Sequence, residues 1–185
     1  MKTPKHVGNV TIVLRKGVGS KPTQILLGLK PPKNKADDKR NRKRVGADKW
    51  VPPGGGTESG DKSQKHAAQR ELLEETGLNF SLSSFKKVGM LRGYNGSVEQ
   101  PLWLVHIYLV TTASQALGPT AGPGLVKLQW FGVSRLPFNK MLTGDRDWIP
   151  RVIKGEKLTI KIVFSEDESD VTAKTIRTVR SFNGR

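Results

Sequence analysis

The 185-residue chain contains no cysteine. That excludes disulfides and every Cys-based metal site, and it suits a reducing interior. Long apolar runs are missing too: no window approaches the ~18 apolar residues that a membrane span needs. The opening residues, Met1-Lys2-Thr3-Pro4-Lys5-His6, lead into a strand-like stretch and not into the apolar core of a secretion signal. These absences predict a cytoplasmic protein with no membrane attachment. Acidic residues are scarce, 16 against 32 Lys and Arg, which leaves a net charge of +16 and an isoelectric point near 10.3. Such a surface attracts polyanions, whether nucleotides, nucleic acid or anionic lipid, and charge alone does not choose among them. The length suits one domain spanning residues 1–185, and a 35% hydrophobic share supports a modest core diluted by loops.

Several stretches have legible periodicity. Val7 to Leu14 is rich in β-branched residues and reads as a strand; Gln24 to Leu29 reads as its hairpin partner across a Gly- and Pro-containing turn. Lys87 to Leu91, Leu102 to Thr112 and Leu128 to Val133 read as further strands, the second of them central because it is the longest apolar run. Leu158, Ile160, Ile162 and Phe164 alternate as in a half-buried strand, and Asp170 to Val179 could pair with it across the acidic turn Glu166-Asp167-Glu168. A helix is expected from about Ser63, a good N-cap, to Thr76, with Gly77 stopping it. A second, shorter helix is expected over Asp145 to Lys154, weakened or bent by Pro150. Trp50 and His106 read as packed residues. The stretch 31–49 differs: Lys33, Lys35, Lys39, Arg40, Arg42, Lys43 and Arg44 crowd into it with almost nothing apolar. It reads as a basic loop insertion, either simply solvated or collecting phosphates of a nucleotide or RNA.

The most informative stretch is Gly54-Gly55-Gly56-Thr57-Glu58-Ser59-Gly60-Asp61, followed by Arg70-Glu71-Leu72-Leu73-Glu74-Glu75-Thr76-Gly77-Leu78. Glu71, Glu74 and Glu75 stand at i, i+3 and i+4, which at roughly 100° per residue places them on one side of a helix. Like charges so spaced repel unless a cation sits among them, and a hard divalent ion such as Mg²⁺ or Mn²⁺ takes carboxylate oxygens. Carboxylates alone would favour a solvated acidic helix capped by Gly77. A glycine bend beside them admits close backbone approach to a ligand, and the pair suits phosphoryl chemistry. Arg70 cannot easily point with the glutamates and is expected to hold one of them by a bidentate bond.

This string resembles the Nudix box. Arg70 to Leu78 follows the second half of the family pattern without a gap; in the first half the acidic residue five places after Gly55 is Asp61 where the family has Glu, and eight residues instead of seven precede Arg70. The resemblance implies an α/β fold, an α/β/α sandwich around a mixed, curved β-sheet. It implies that Glu71, Glu74 and Glu75 hold the metal together with the Gly54 carbonyl, with Glu71 the base and Arg70 a catalytic partner. The implied reaction is hydrolysis of a nucleoside diphosphate linked to another group, with Mg²⁺ (or Mn²⁺) as the sole cofactor. Beyond the box, Leu26 to Lys30, Trp50, Trp130-Phe131, Leu136 to Met141, Asp145, Trp148 and Pro150 are similar to the MutT-like, oxidised-purine nucleoside triphosphate branch of that family. That likeness assigns Lys30 and Asp145 to substrate binding, while Val51, Leu142 and Leu125 stand where that branch carries Asn, Trp and an extra metal-binding Glu. RNA 5′-end pyrophosphohydrolysis, or nucleotide or RNA binding without turnover, are the competing readings, the latter motivated by Asp61 and the extra residue.

Overall fold

The computed structural model describes residues 3–32, 46–96, 99–114, 117–165 and 171–182. The basic residues from Lys33 to Arg44 and the acidic turn Glu166-Asp167-Glu168 lie outside the described residues. Among the described residues, eight strands form one mixed sheet: β1 (His6–Arg15), β2 (Gln24–Leu29), β3 (Trp50–Val51), β4 (Lys86–Asn95), β5 (Trp103–Thr112), β6 (Lys127–Gly132), β7 (Leu158–Phe164) and β8 (Val171–Thr178). The order is β3-β2-β1-β5-β4-β7-β8, with β6 on the other edge of β2. The apolar run of β5 is central, as expected: it pairs parallel with β1 along its length and antiparallel with β4. β7 and β8 form the expected antiparallel pair, and β7 runs parallel to β4.

Alternation along the strands builds two cores, because successive side chains point to opposite faces. Ile12, Ile25, Leu27, Leu158 and Ile160 pack under α2 (Asp145–Ile153) with its Trp148, Ile149 and Val152. Val13, Leu26, Tyr108 and Val110 pack on the other face with Ala68 and Leu72 of α1 (Gln64–Thr76) and with Phe85. The ends of α1 lie where its sequence signals put them. Ser63 accepts the His66 N–H at 3.3 Å, and Gly77 takes φ 68° while its N–H bonds the Leu73 carbonyl at 2.8 Å. α2 runs through Pro150. The proline removes one N–H, and the buried side chains around it hold the helix together.

The expected β1–β2 hairpin is only a remnant. The two strands pair at Leu14↔Ile25 and Arg15↔Gln24, and β2 otherwise pairs with β6. The segment 50–57 fills the opening between them. Its start bonds β2 through Leu29↔Trp50 and Gly28↔Val51. Its end bonds β1: Thr11 N–H to Pro53 O (2.8 Å), Asn9 N–H to Gly55 O (2.9 Å) and Thr57 N–H to Val7 O (3.1 Å). Trp50 is a packed residue, as expected, edge-on to Phe131 with ring centroids 5.0 Å apart. Sequence periodicity could not show this insertion, because a glycine run carries no alternation.

Leu72 is 1% exposed and its neighbour Leu73 is 44% exposed, so the pair tests how α1 is anchored. Leu72→Ala should cost about 2–5 kcal/mol through the cavity it leaves, and Leu73→Ala about 0.5 kcal/mol or less. Urea unfolding of both variants checks this, and equal costs would contradict the packing.

Candidate functional site

The segment that wedges between β1 and β2 also forms the floor of the candidate site. The carbonyls of Pro53 and Gly55 are spent on β1, so the alternation of an extended chain turns the Gly54 peptide groups to the other side. There the Gly54 N–H bonds Glu75 Oε2 at 2.7 Å. No donor among the described residues takes the Gly54 carbonyl. Gly54 has φ 152°, and a Cβ on it would lie 2.2 Å from the Asn9 carbonyl oxygen, so only glycine fits. A Cβ on Gly55 would lie 2.5 Å from Glu71 Oε2: the Glu71 carboxyl rests on bare backbone.

Arg70 is the hub of the cluster. Its Nε and Nη2 bond the two oxygens of Asp61 at 3.1 and 3.0 Å. Nη1 bonds Glu71 Oε1 at 3.1 Å and Glu74 Oε2 at 3.0 Å, and Nη2 also bonds the Gly56 carbonyl at 3.0 Å. All five guanidinium N–H groups are thereby used. This corrects the expectation that Arg70 points away from the glutamates and grips one of them with both nitrogens. It reaches two of them singly, and the bidentate partner is Asp61. Asp61 is further held by the Glu58 N–H at 2.8 Å, and its carboxyl is kept below the usual range chiefly by the Arg70 hydrogen bond. The departure from the family pattern therefore leaves the clamp in place, and the extra residue falls in the bend before α1, outside its helical register.

The three glutamates differ in setting. Glu75 is 7% exposed; burial pushes its carboxyl up to about 7, against the pull of the Gly54 N–H and then of the Lys30 ammonium. Glu71 is raised by burial, with Arg70 opposing. The Glu74 side chain is half exposed and tied to Arg70. Glu71 and Glu75 thus meet the same glycine segment, Glu74 stands on the rim, and among the described residues no three carboxylates form a finished cation cage. The donors present nonetheless fit a hard divalent ion: two carboxylates pushed toward protonation by burial, a third alongside and an uncommitted backbone carbonyl, all oxygen.

Lys30 and Asp145 lie beyond Glu75. Lys30, Val51 and Leu142 converge on Gly46, where a Cβ would lie 3.4–3.7 Å from all three side chains. The Leu142 carbonyl accepts the Asp145 N–H at 3.1 Å. Asp145 is 6% exposed; Oδ1 accepts the Trp148 indole N–H at 3.0 Å, and Oδ2 is buried without a partner among the described residues. Burial raises this carboxyl to about 7. A cavity of about 350 Å³ opens beside it, lined by Lys49, Met141, Leu142, Asp147 and Lys174 among others.

Sequence reasoning missed what the 118–125 loop does. Its Thr120 and Gly122 N–H groups bond the Thr76 and Glu75 carbonyls, each at 3.0 Å, capping the end of α1. A Cβ on Gly122 would strike the Glu74 carbonyl oxygen at 1.8 Å, so the loop seats the glutamate-bearing turn. Its composition announces a loop and nothing of where the loop docks. Leu125 is buried against Gly28 and offers a metal no donor.

The family model described as NUDIX domain matches residues 23–152. The chain is 30% identical over 162 residues to the oxidized purine nucleoside triphosphate hydrolase of Mus musculus, covering 87% of this chain and 91% of that one. It is also 30% identical over 136 residues to the protein of the same name from Danio rerio, covering 74% and 76%. The solved MutT protein of Bacillus halodurans superposes with a TM-score of 0.62 at 19% identity, over 92% of this chain and 97% of that one; at that identity the likeness concerns the fold.

Two outcomes follow from this arrangement. Gly55→Ala drives a methyl into the Glu71 carboxyl, the far end of one flexible side chain. Mn²⁺ affinity measured by calorimetry should fall at least tenfold, while unfolding free energy shifts by about 1 kcal/mol or less. Unchanged affinity would show that Glu71 is not seated as described. Asp145 is raised from 3.8 to about 7, so its folded form keeps a proton the unfolded chain loses. Its contribution to stability is full below about pH 4, declines as the pH climbs to about 7 and is flat above. The decline amounts to a few kcal/mol at most. In denaturation series from pH 4 to 8, Asp145→Asn should therefore gain on the parent as pH rises; a gap independent of pH would refute the assignment.

Proposed function

Since the chain belongs to the NUDIX family, we propose that it is a divalent-cation-dependent pyrophosphohydrolase of purine nucleoside triphosphates, oxidised purines included. The observation that carries this is the meeting of Glu71 and Glu75 at the Gly54-Gly55 backbone, with Arg70 locking Asp61, Glu71 and Glu74. Glu71, Glu74, Glu75 and Arg70 are all present, and a module that only binds nucleotide would not need the full set. The names of the mouse and zebrafish relatives support the substrate class.

Glu71, Glu74, Glu75 and the Gly54 carbonyl are the groups that would hold Mg²⁺ or Mn²⁺. The bound ion would supply neutralisation of phosphate charge and a lowered pKa for water. The rest is done by the chain. Glu71, made more basic by burial, takes the proton of the attacking water. The water oxygen forms the new bond to phosphorus, the anhydride P–O bond breaks, and nucleoside monophosphate and pyrophosphate leave. Arg70 fixes the Glu71 carboxyl in place and takes no proton itself. Lys30, beside Glu75, balances phosphate charge. Asp145, buried beside the cavity and with Oδ2 unpaired, is the candidate for recognising the purine; a carboxyl with a pKa near 7 can donate or accept a hydrogen bond. Val51 in place of Asn and Gly144 in place of one of two Asp make that pocket more apolar than in the oxidised-purine branch, and Leu142 in place of Trp removes a stacking ring, which predicts weaker discrimination between bases.

Pyrophosphate release with Mg²⁺ from 8-oxo-dGTP, dGTP, dATP and 5′-triphosphorylated RNA tests the proposal. A nucleoside triphosphate should turn over, and Glu71→Gln should lose about 10²-fold or more. Binding without turnover would restore the non-catalytic reading, and turnover of the RNA alone would move the activity to RNA ends.

A further inference from the structure

Among the described residues, one face of the sheet is half uncovered. α1 packs on β1 and β5, and on that same face no described helix covers β4, β7 and β8. The register shows what stands there. Arg92, Lys161 and Thr175 lie side by side across the three strands, and Met90, Thr159 and Arg177 form the next row. Lys87 adjoins them at the bulge in β4. Lys161 and Arg177 are exposed; Lys87 and Arg92 are half-buried.

On the opposite face Lys174 is paired with Asp147, and at the edge Arg151 with Glu156. Among the described residues no carboxylate pairs with Lys87, Arg92, Lys161 or Arg177. Arg92 stands directly opposite Lys161, an arrangement that destabilises a sheet. The crowding is felt locally: burial and then the Arg92 charge lower the Lys87 ammonium. Burial, then Lys87 and Arg92, bring the neighbouring His106 down to about 4, so it is neutral.

Two aromatic rings are interleaved with these charges. The Lys161 ammonium stands 5.0 Å from the Tyr94 ring centroid, and that of Lys87 5.3 Å from the Phe182 ring. Rings beside cations on an open sheet suit bases that stack while their phosphates are neutralised. A membrane-binding face would also present large apolar side chains. The exposed large hydrophobics among the described residues are Val18, Leu73 and Val126, and none of them is on this face. We propose that the face built by Lys87, Arg92, Tyr94, Lys161 and Arg177 binds single-stranded nucleic acid.

The test uses the full chain, fluorescent oligouridylate and oligodeoxythymidylate, and anisotropy across a salt series. Wild type should bind at least one of them with affinity falling steeply with salt. The triple variant Arg92→Gln/Lys161→Gln/Arg177→Gln should weaken binding at least tenfold and lower the salt slope by about 2. Tyr94→Ala alone should weaken it by about tenfold, because it removes stacking and not charge. Nucleotide hydrolysis should match the parent in the triple variant and its melting temperature should not fall below the parent's, because relieving the Arg92–Lys161 repulsion can only help the sheet; the loss is then not unfolding. No binding by the parent, or affinity and slope unchanged in the triple variant, would overturn the proposal. So would a variant that loses binding to phosphatidylserine vesicles and keeps the oligonucleotides.

Discussion

β1 and β2 share two residue pairs and then part, and the segment 50–57 holds them apart by bonding first to one and then to the other. Each carbonyl given to β1 leaves the next peptide facing away from it. That alternation turns the Gly54 N–H toward Glu75 and leaves the Gly54 carbonyl uncommitted. The glycines are there because side chains would strike β1 on one side and Glu71 on the other. A backbone constraint, set by strand divergence, therefore creates the place where carboxylates and an ion could meet.

Electrostatics completes the site from the other direction. Buried carboxylates tend to take up protons, and Glu75 and Asp145 are both raised to about 7. Against this, one guanidinium spends all five of its N–H groups on two glutamates, one aspartate and a backbone carbonyl. The result is graded: Asp61 firmly ionised, Glu71 and Glu75 made more basic, Glu74 at the rim. A hydrolytic site needs such unequal acids, one to anchor and others to bind and to accept protons.

The fold also distributes its positive charge unevenly. Lys174 on the α2 side and Arg151 at the sheet edge have carboxylate partners. Among the described residues, Lys87, Arg92 and Lys161 across β4 and β7 have rings and each other. Repulsion kept within a sheet is tolerated when the rest of the sheet is well packed, as Leu158, Ile160 and Ile162 are on the reverse face.

Much of the architecture could be read directly from the chain. Ser63 and Gly77 mark the ends of α1 because capping is local chemistry, and the alternation of β7 and the apolar run of β5 record burial residue by residue. The box itself was legible because its residues lie on one helix and one bend. What could not be read was everything that depends on segments far apart meeting. The shortened Asp61 side chain looked like a defect until its partner proved to be Arg70. The Gly- and Pro-rich 118–125 stretch looked like a mere connection until it was seen to cap the end of α1. His106 was expected to be packed, and it is half-buried, but its setting beside Lys87 and Arg92 came only from strand register. Local propensity and periodicity decide which elements form. Which faces meet, and so which charges are buried, bridged or left bare, follows from long-range packing, and no stretch of sequence carries that by itself.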